Sequence, residues 1–321
     1  MISRVWPVVA IFVRHIAVPS ALVLLLAAPQ ISSARAAAEE AEAPWGRLIT
    51  SAAIACNPLT HKIYAVNEGA GSVTVIDAAT GATRTVEVGR EPISLAVNRR
   101  ANRIYVANDG SASVSVIDGA SDTVIATVAT SRLPYTIAVD DAANKVYVTH
   151  TYAGAVTVID GAANTARELK VGDADGVIAD AHANTVFLTT YEDPNLRILD
   201  GATGAVTRVA IGPHTWGMAL DEATSTLFLA HTAAGEIVAF DEKTHAVNAI
   251  SVGKIPCAVA INPKTRRLYA VNYGDETLSV IDLQSKRSSL RCPLGSIRRE
   301  SPSMQKPIAF MSRMFTATAS R

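Results

Sequence analysis

Short apolar runs separated by polar turns recur along this chain with a long, regular period. The run and its partner read KIYAVN…SVTVID, RIYVAN…SVSVID, KVYVTH…AVTVID, TVFLTT…NLRILD, TLFLAH…EIVAFD and RLYAVN…TLSVID. The aromatic of each copy is Tyr64, Tyr105, Tyr147, Phe187, Phe228 and Tyr269, at successive spacings of 41, 42, 40, 41 and 41 residues. Asp77, Asp118, Asp160, Asp200, Asp241 and Asp282 repeat the same intervals. Several short strands within a period near 40 predict an all-β fold, a β-propeller of six four-stranded blades or a truncated ring of seven.

The second unit predicts its four strands, A to D, most clearly: Ile93 to Asn98, Arg103 to Asn108, Ser113 to Asp118 and Thr123 to Val128. Strands A to C are apolar on both sides of the pleat, as a sheet covered on both faces requires. Asp-Gly at Asp118, Asp160 and Asp200 gives the C-to-D connection hairpin chemistry. In a propeller strand A lines the axis and strand D lies outermost. The D-to-A and B-to-C connections then share one face, the top, and the other two share the bottom.

The repeats resemble the YVTN family of β-propellers. The naming motif stands here as YAVN at Tyr64, YVAN at Tyr105, YVTH at Tyr147 and YAVN at Tyr269, and the VGxxP connection as Val88–Pro92 and Val252–Pro256. The resemblance implies a secreted or surface scaffold. Because related propellers also serve as enzyme domains, it leaves activity to be argued from sites.

Charge divides the chain into three. Residues 1–38 hold three Arg and no acids around the apolar stretch Ile16 to Ala28, followed by small residues, and read as a secretory signal peptide. Residues 39–45 read as a linker and 46–290 as the propeller. Residues 39–283 carry 18 Lys plus Arg against 28 Asp plus Glu, a net of −10, which argues against general nucleic-acid binding. The expected location is periplasmic or extracellular, with no membrane span once the leader is removed. Residues 284–321 carry eight basic residues against Glu300, a net of +7. From Lys286 the pattern stops where a D strand is due. The segment 291–321 reads as a disordered basic tail or as a frameshifted seventh blade.

Three cysteines, Cys56, Cys257 and Cys292, form no disulfide framework, and Cys56 is expected to be a buried thiol. No CxxCH haem motif, phosphate loop or serine nucleophile elbow occurs. No cofactor is expected.

A residue used once per molecule should break the repeat. By that filter the recurrent Asp, aromatic and Asn positions belong to the blade. His150 and His231 stand where other units have Asn67, Asn108 and Asn272, and Gly212-Pro213-His214-Thr215-Trp216 departs from the usual connection, as does Gly172-Asp173-Ala174-Asp175. Candidate ligand-binding residues on the top of units three to five are therefore His150, Tyr152, Asp175, Tyr191, His214, Trp216 and His231. Candidate metal ligands are His150, His214, His231 and Asp173, because neutral imidazole and carboxylate suit zinc-like ions. His150 and His231 read equally as hydrogen-bonding replacements for Asn. On the bottom, Lys62, Arg99, Arg100, Arg103, Arg266 and Arg267 suggest a basic arc facing Asp140, Asp141, Asp180, Asp221 and Glu222.

These features predict a monomeric, non-catalytic scaffold that binds a small ligand or a protein partner. The alternatives are a metal-assisted lactonase, lyase or hydrolase on the same scaffold, or a propeller associated with a redox enzyme.

Overall fold

The computed structural model describes residues 53–285 and 287–293. It contains six antiparallel sheets of four strands, each a simple meander in sequence order. The inner A strands run Ile54–Asn57, Pro92–Asn98, Pro134–Asp140, Gly176–Asp180, Thr215–Asp221 and Pro256–Asn262. All-β architecture and six blades follow the repeat. Among the described residues no helix is long and apolar enough to cross a membrane. The leader lies outside the described residues, as does everything after Pro293.

The core sits between blades. One side of blade one (Ala55, Tyr64, Val66, Val73, Val75 and Val86) packs against Leu95, Val97, Ile104, Val106 and Ile117 of blade two. Four further clusters join blades two to three, three to four, four to five and five to six. Each strand B aromatic from Tyr64 to Phe228 is at most 1% exposed beneath the following blade. An aromatic ring is the largest apolar group available, so this one position contributes much of each interface.

Polar latches repeat with the same step. Asn57 Nδ2 donates to Asn102 Oδ1 at 2.7 Å, and Asn98 Nδ2 donates to Asn144 Oδ1 at 2.9 Å. The acceptor residues have positive φ, 52° at both Asn102 and Asn144, a conformation Asn tolerates well. The cation opening strand B reaches the next blade's C-to-D turn. Lys62 binds the Gly119 carbonyl and Asp122, Arg103 binds the Gly161 carbonyl, and Lys145 binds the Gly201 carbonyl at 2.6 Å.

The recurrent aspartates cap their own turns. Asp77 Oδ1 accepts the amides of Ala79 and Thr80 at 3.0 and 2.8 Å, and Asp118, Asp160, Asp200, Asp241 and Asp282 do the same. Hydrogen bonds from turn N–H groups hold Asp77 and Asp118 below the usual carboxylate range.

Two expectations change. The sixth blade has its fourth strand, Arg287–Pro293, paired with Thr277–Asp282, although its sequence has left the repeat pattern. Strand D is the solvent edge, and in blade one only Val86 of Thr83–Glu87 is buried, so a D strand asks little of its sequence. Cys56 is exposed rather than buried, because it lies on a face of blade one that no described blade covers.

Candidate functional site

The strand-end Asn is a local clasp. Asn108 Nδ2 donates to Ser113 Oγ and Ser115 Oγ, five and seven residues on, at 3.2 and 2.9 Å. Asn67 and Asn272 make the same pair of bonds. His150 takes over this role. It is 0% exposed, its Nε2 lies 2.7 Å from Thr157 Oγ1, again seven residues on, and its Nδ1 lies 3.1 Å from the Arg132 carbonyl. A carbonyl only accepts, so Nδ1 carries the proton and Nε2 accepts from the threonine. Burial pushes the imidazole pKa down and keeps it neutral. With both nitrogens engaged, His150 offers nothing to a ligand.

His231 differs. The residue seven on is Val238, which has no hydroxyl to offer, and the half-buried ring lies over Gly212. A β-carbon at Gly212 would sit 2.7 Å from His231 Cε1, so glycine, at φ 91°, is what lets the connection pass under the ring. Blade four has Thr190 at the Asn position and Arg197 seven residues later. Arg197 is buried, 4% exposed, and donates to the carbonyls of Val171 and Asp173 and to Asp193 Oδ2 at 2.9 Å. This buried cation escaped the sequence reading. Its signal was the unrepeated Arg in the apolar strand NLRILD.

Blades four and five bring three of the expected residues together. Tyr191 lies 4.6 Å between centroids from His214, the rings tilted by 50°, and meets Trp216 edge-on at 5.2 Å. The Tyr191 carbonyl accepts the His214 amide at 2.7 Å, fixing the connection between the blades. His214 takes φ 61°, and its Nδ1 is buried without a partner. Asp175 joins them, its Oδ2 accepting the Tyr191 amide at 3.2 Å. Burial raises the Asp175 carboxyl above its ordinary value, against the lowering effect of that hydrogen bond.

Asp175 and Trp216 occupy one repeat position, at the top end of the inner strands. Among the described residues its members are Ile93, Tyr135, Asp175, Trp216 and Cys257, each half-buried and each one residue after Pro92, Pro134, Ala174, Thr215 or Pro256. The strand-B ends lie alongside: Pro134 pairs with His150 and Thr215 with His231. The upper rim therefore carries apolar and aromatic groups with one carboxylate among them.

The other expected residues lie apart from this cluster. Tyr152 is 88% exposed at φ 57°. Asp173 is exposed, and its Oδ1 accepts the Gly154 amide at 2.8 Å. Among the described residues no group of three or more His, Cys, Asp or Glu is arranged to hold a metal ion. A cavity of about 200 Å³ lies elsewhere, lined by Ser131, Thr157, Arg167 and Glu168 among others.

On the bottom, four of the six cations are engaged within the protein. Besides Lys62 and Arg103, Arg99 Nε lies 2.6 Å from Asp141 Oδ2, and Arg266 binds both oxygens of Asp221 at 2.6 and 2.7 Å. Arg99 also approaches Glu222 of blade five at 3.8 Å, so basic and acidic arcs meet across the axis. Arg100 and Arg267 remain exposed.

No family model matches this sequence, and no curated protein matches it significantly. Solved structures do match, and the three named next do so at identities that speak for the fold alone. A chain of Kuenenia stuttgartiensis hydrazine synthase is 19% identical with a TM-score of 0.63, over 76% of this chain and 81% of that one. A chain of a mitotic checkpoint complex is 15% identical with a TM-score of 0.67, over 81% and 87%. The dihydro-heme d1 dehydrogenase NirN, in complex with DHE, is 16% identical with a TM-score of 0.62, over 74% of this chain and 55% of that one. The chain is a β-propeller.

Proposed function

We propose that this chain is an exported YVTN-type propeller that binds a ligand without transforming it, through the upper rim of blades four and five. The observation that carries this reading is the Tyr191–His214–Trp216 cluster, built where the repeat is broken and completed by the half-buried Asp175. Half-buried aromatic faces favour a flat or cationic group, and a carboxylate beside them favours positive charge. The ligand class is accordingly an organic cation or a peptide segment bearing Arg or Lys. Export rests on the leader sequence.

The test is a thermal-shift panel of quaternary ammonium, guanidinium and aromatic compounds on the whole chain, repeated with Trp216→Ala and Asp175→Asn. Expected is a concentration-dependent rise in Tm with at least one cation, diminished about tenfold in apparent affinity by either substitution. Absence of any rise, or a rise that both variants preserve, overturns the reading.

A second reading is a propeller that accompanies a redox enzyme, in keeping with two structural neighbours, hydrazine synthase and the dihydro-heme d1 dehydrogenase NirN. Its test is the visible absorbance of the purified protein. A chromophore that survives gel filtration at a fixed ratio supports it, and a colourless protein unchanged by added haem counts against it.

A further inference from the structure

Each of the five neighbouring blade pairs has an apolar cluster between its sheets, and among the described residues no such cluster joins blades six and one. The residues that would form it are present. Leu95, Ile104 and Ile117 of blade two, which face blade one, are at most 2% exposed. Their equivalents in blade one are Ile54, 42% exposed, and Ile63 and Ile76, both half-buried. On blade six, Tyr269 and Val271 are half-buried, where Tyr105 and Ala107 of blade two are fully covered, and Ala258 and Ala260 are exposed. Arg267 opens strand B as Lys62 and Arg103 do, but is exposed instead of latching a following turn. Two sheet faces thus carry the repeat's interface residues without a neighbour among the described residues, one on each side of the same gap.

The occupant is written in the residues after Lys286, read through the genetic code. Displacing the reading frame by one nucleotide makes each new codon from the last base of one codon and the first two of the next. Met has the single codon ATG, so the choice is narrowest around Met304, Met311 and Met314. With Ser and Arg taken from their four-codon boxes, the stretch from Ala309 to Met314 gives one of Phe, Leu, Ile or Val, then Tyr or His, then Val, then one of Ser, Pro, Thr or Ala, then one of Tyr, His, Asn or Asp. Those choices contain Ile-Tyr-Val-Ala-Asn, letter for letter the phrase of Ile104 to Asn108.

The match extends upstream and downstream without a gap. Leu294/Gly295 allows the Gly, and Ile297/Arg298 the Pro, of the VGxxP connection, three residues apart as at Gly89 and Pro92. With Ser again taken from its four-codon box, Glu300/Ser301 and Pro302/Ser303 give apolar residues where Leu95 and Val97 stand, and Ser303/Met304 allows the Asn of Asn98. Arg291/Cys292 gives only Leu, Met or Val, where strand D has its one buried position, Val86. Ala319/Ser320 and Ser320/Arg321 allow the Val-Ser of Val114-Ser115. The opposite displacement instead forces Cys at Met304 and Met314.

We infer that residues from about 287 onward are the out-of-frame translation of a seventh repeat, and that the gap between blades six and one is the seat of the blade it encodes. The departure begins at the D strand, where an altered sequence is tolerated, so six blades still form. The intact product of the gene is a closed ring of seven.

Two measurements test this, and neither depends on the ligand reading. The first is the nucleotide sequence of the gene downstream of the Ser285 codon. The displaced reading is expected to give the Gly-x-x-Pro and aromatic-Val-x-Asn phrases. A stop codon within it, or residues off pattern at most of the positions named above, overturns the proposal. The second compares the present chain with one whose frame is restored by a single-nucleotide change. Peptide-level mass spectrometry of thiol labelling is expected to show Cys56 reacting at least about tenfold more slowly in the restored chain, with a higher Tm. Equal Cys56 reactivity in two folded chains overturns it. If the restored chain does not fold, adding the seventh repeat as a separate polypeptide to the present chain is the deciding readout. Protection of Cys56, abolished by Ile54→Asp, supports the seat, and unchanged reactivity refutes it.

Discussion

Blades two and six carry the same repeat pattern and live in different surroundings. In blade two Tyr105 is sealed beneath blade three, Arg103 grips the Gly161 carbonyl, and Ile104 lies under blade one. In blade six Leu268, facing blade five, is equally buried, yet Tyr269 on the opposite side is half open and Arg267 reaches solvent. The repeat is therefore a two-sided object. Its sequence prescribes both faces, and stability accrues to a face only when a neighbour arrives.

The comparison breaks most sharply at the aromatic. Tyr105→Ala opens a cavity in a closed interface and should cost about 3–5 kcal/mol, whereas Tyr269→Ala loses only partial burial and should cost about 1 kcal/mol. Denaturant midpoints of the two variants measure the difference, and equal losses would mean that the sixth face is covered. Arg197→Ala should come next, at about 3 kcal/mol, because it leaves Asp193 and two carbonyls without their buried cation. Arg197→Met, which fills the space but cannot donate, separates packing from charge in the same assay.

Smaller effects test how far unrepeated residues do repeated work. His150→Ala should cost about 1–2 kcal/mol, and His150→Asn, which restores the clasp of Asn108, less than about 1 kcal/mol. If His150→Asn matched His150→Ala, the clasp equivalence would fail. The gentlest probe is pH. Where the blade one to two interface pairs Lys62 with Asp122, the blade four to five interface sets Glu242 against Asp180. Burial, helped by Asp180, pushes Glu242 up to about 7. The folded state holds that proton more tightly than the unfolded chain does. The stabilisation is thus complete below the ordinary carboxylate range and is lost as pH rises through about 7. Tm should fall between roughly pH 5 and pH 8, and Glu242→Gln should flatten the fall; a profile unaltered by that substitution would remove Glu242 as its cause.

Much of the fold was legible because a strand period of two inside a unit of about 41 residues leaves few architectures open. The turn aspartates were legible for the same reason, since a short side chain beside turn amides has one obvious partner set. The site was legible only in part. Units four and five were marked as irregular, and Tyr191, His214, Trp216 and Asp175 do meet there. His150 looked the same on paper as His231, and only the residue seven places on, Thr157 against Val238, distinguishes a sealed clasp from a half-open ring. The bottom cations looked like a surface arc until interblade geometry turned most of them inward onto carboxylates and carbonyls.

By itself the sequence determined the blade: its four strands, its turn caps, its two apolar faces and its count of complete copies. Those properties arise from contacts within about 40 residues, where local pattern decides the partner. The tertiary structure decided which faces find neighbours and where, among the described residues, two blades stay unjoined, because both depend on residues one or more whole repeats apart.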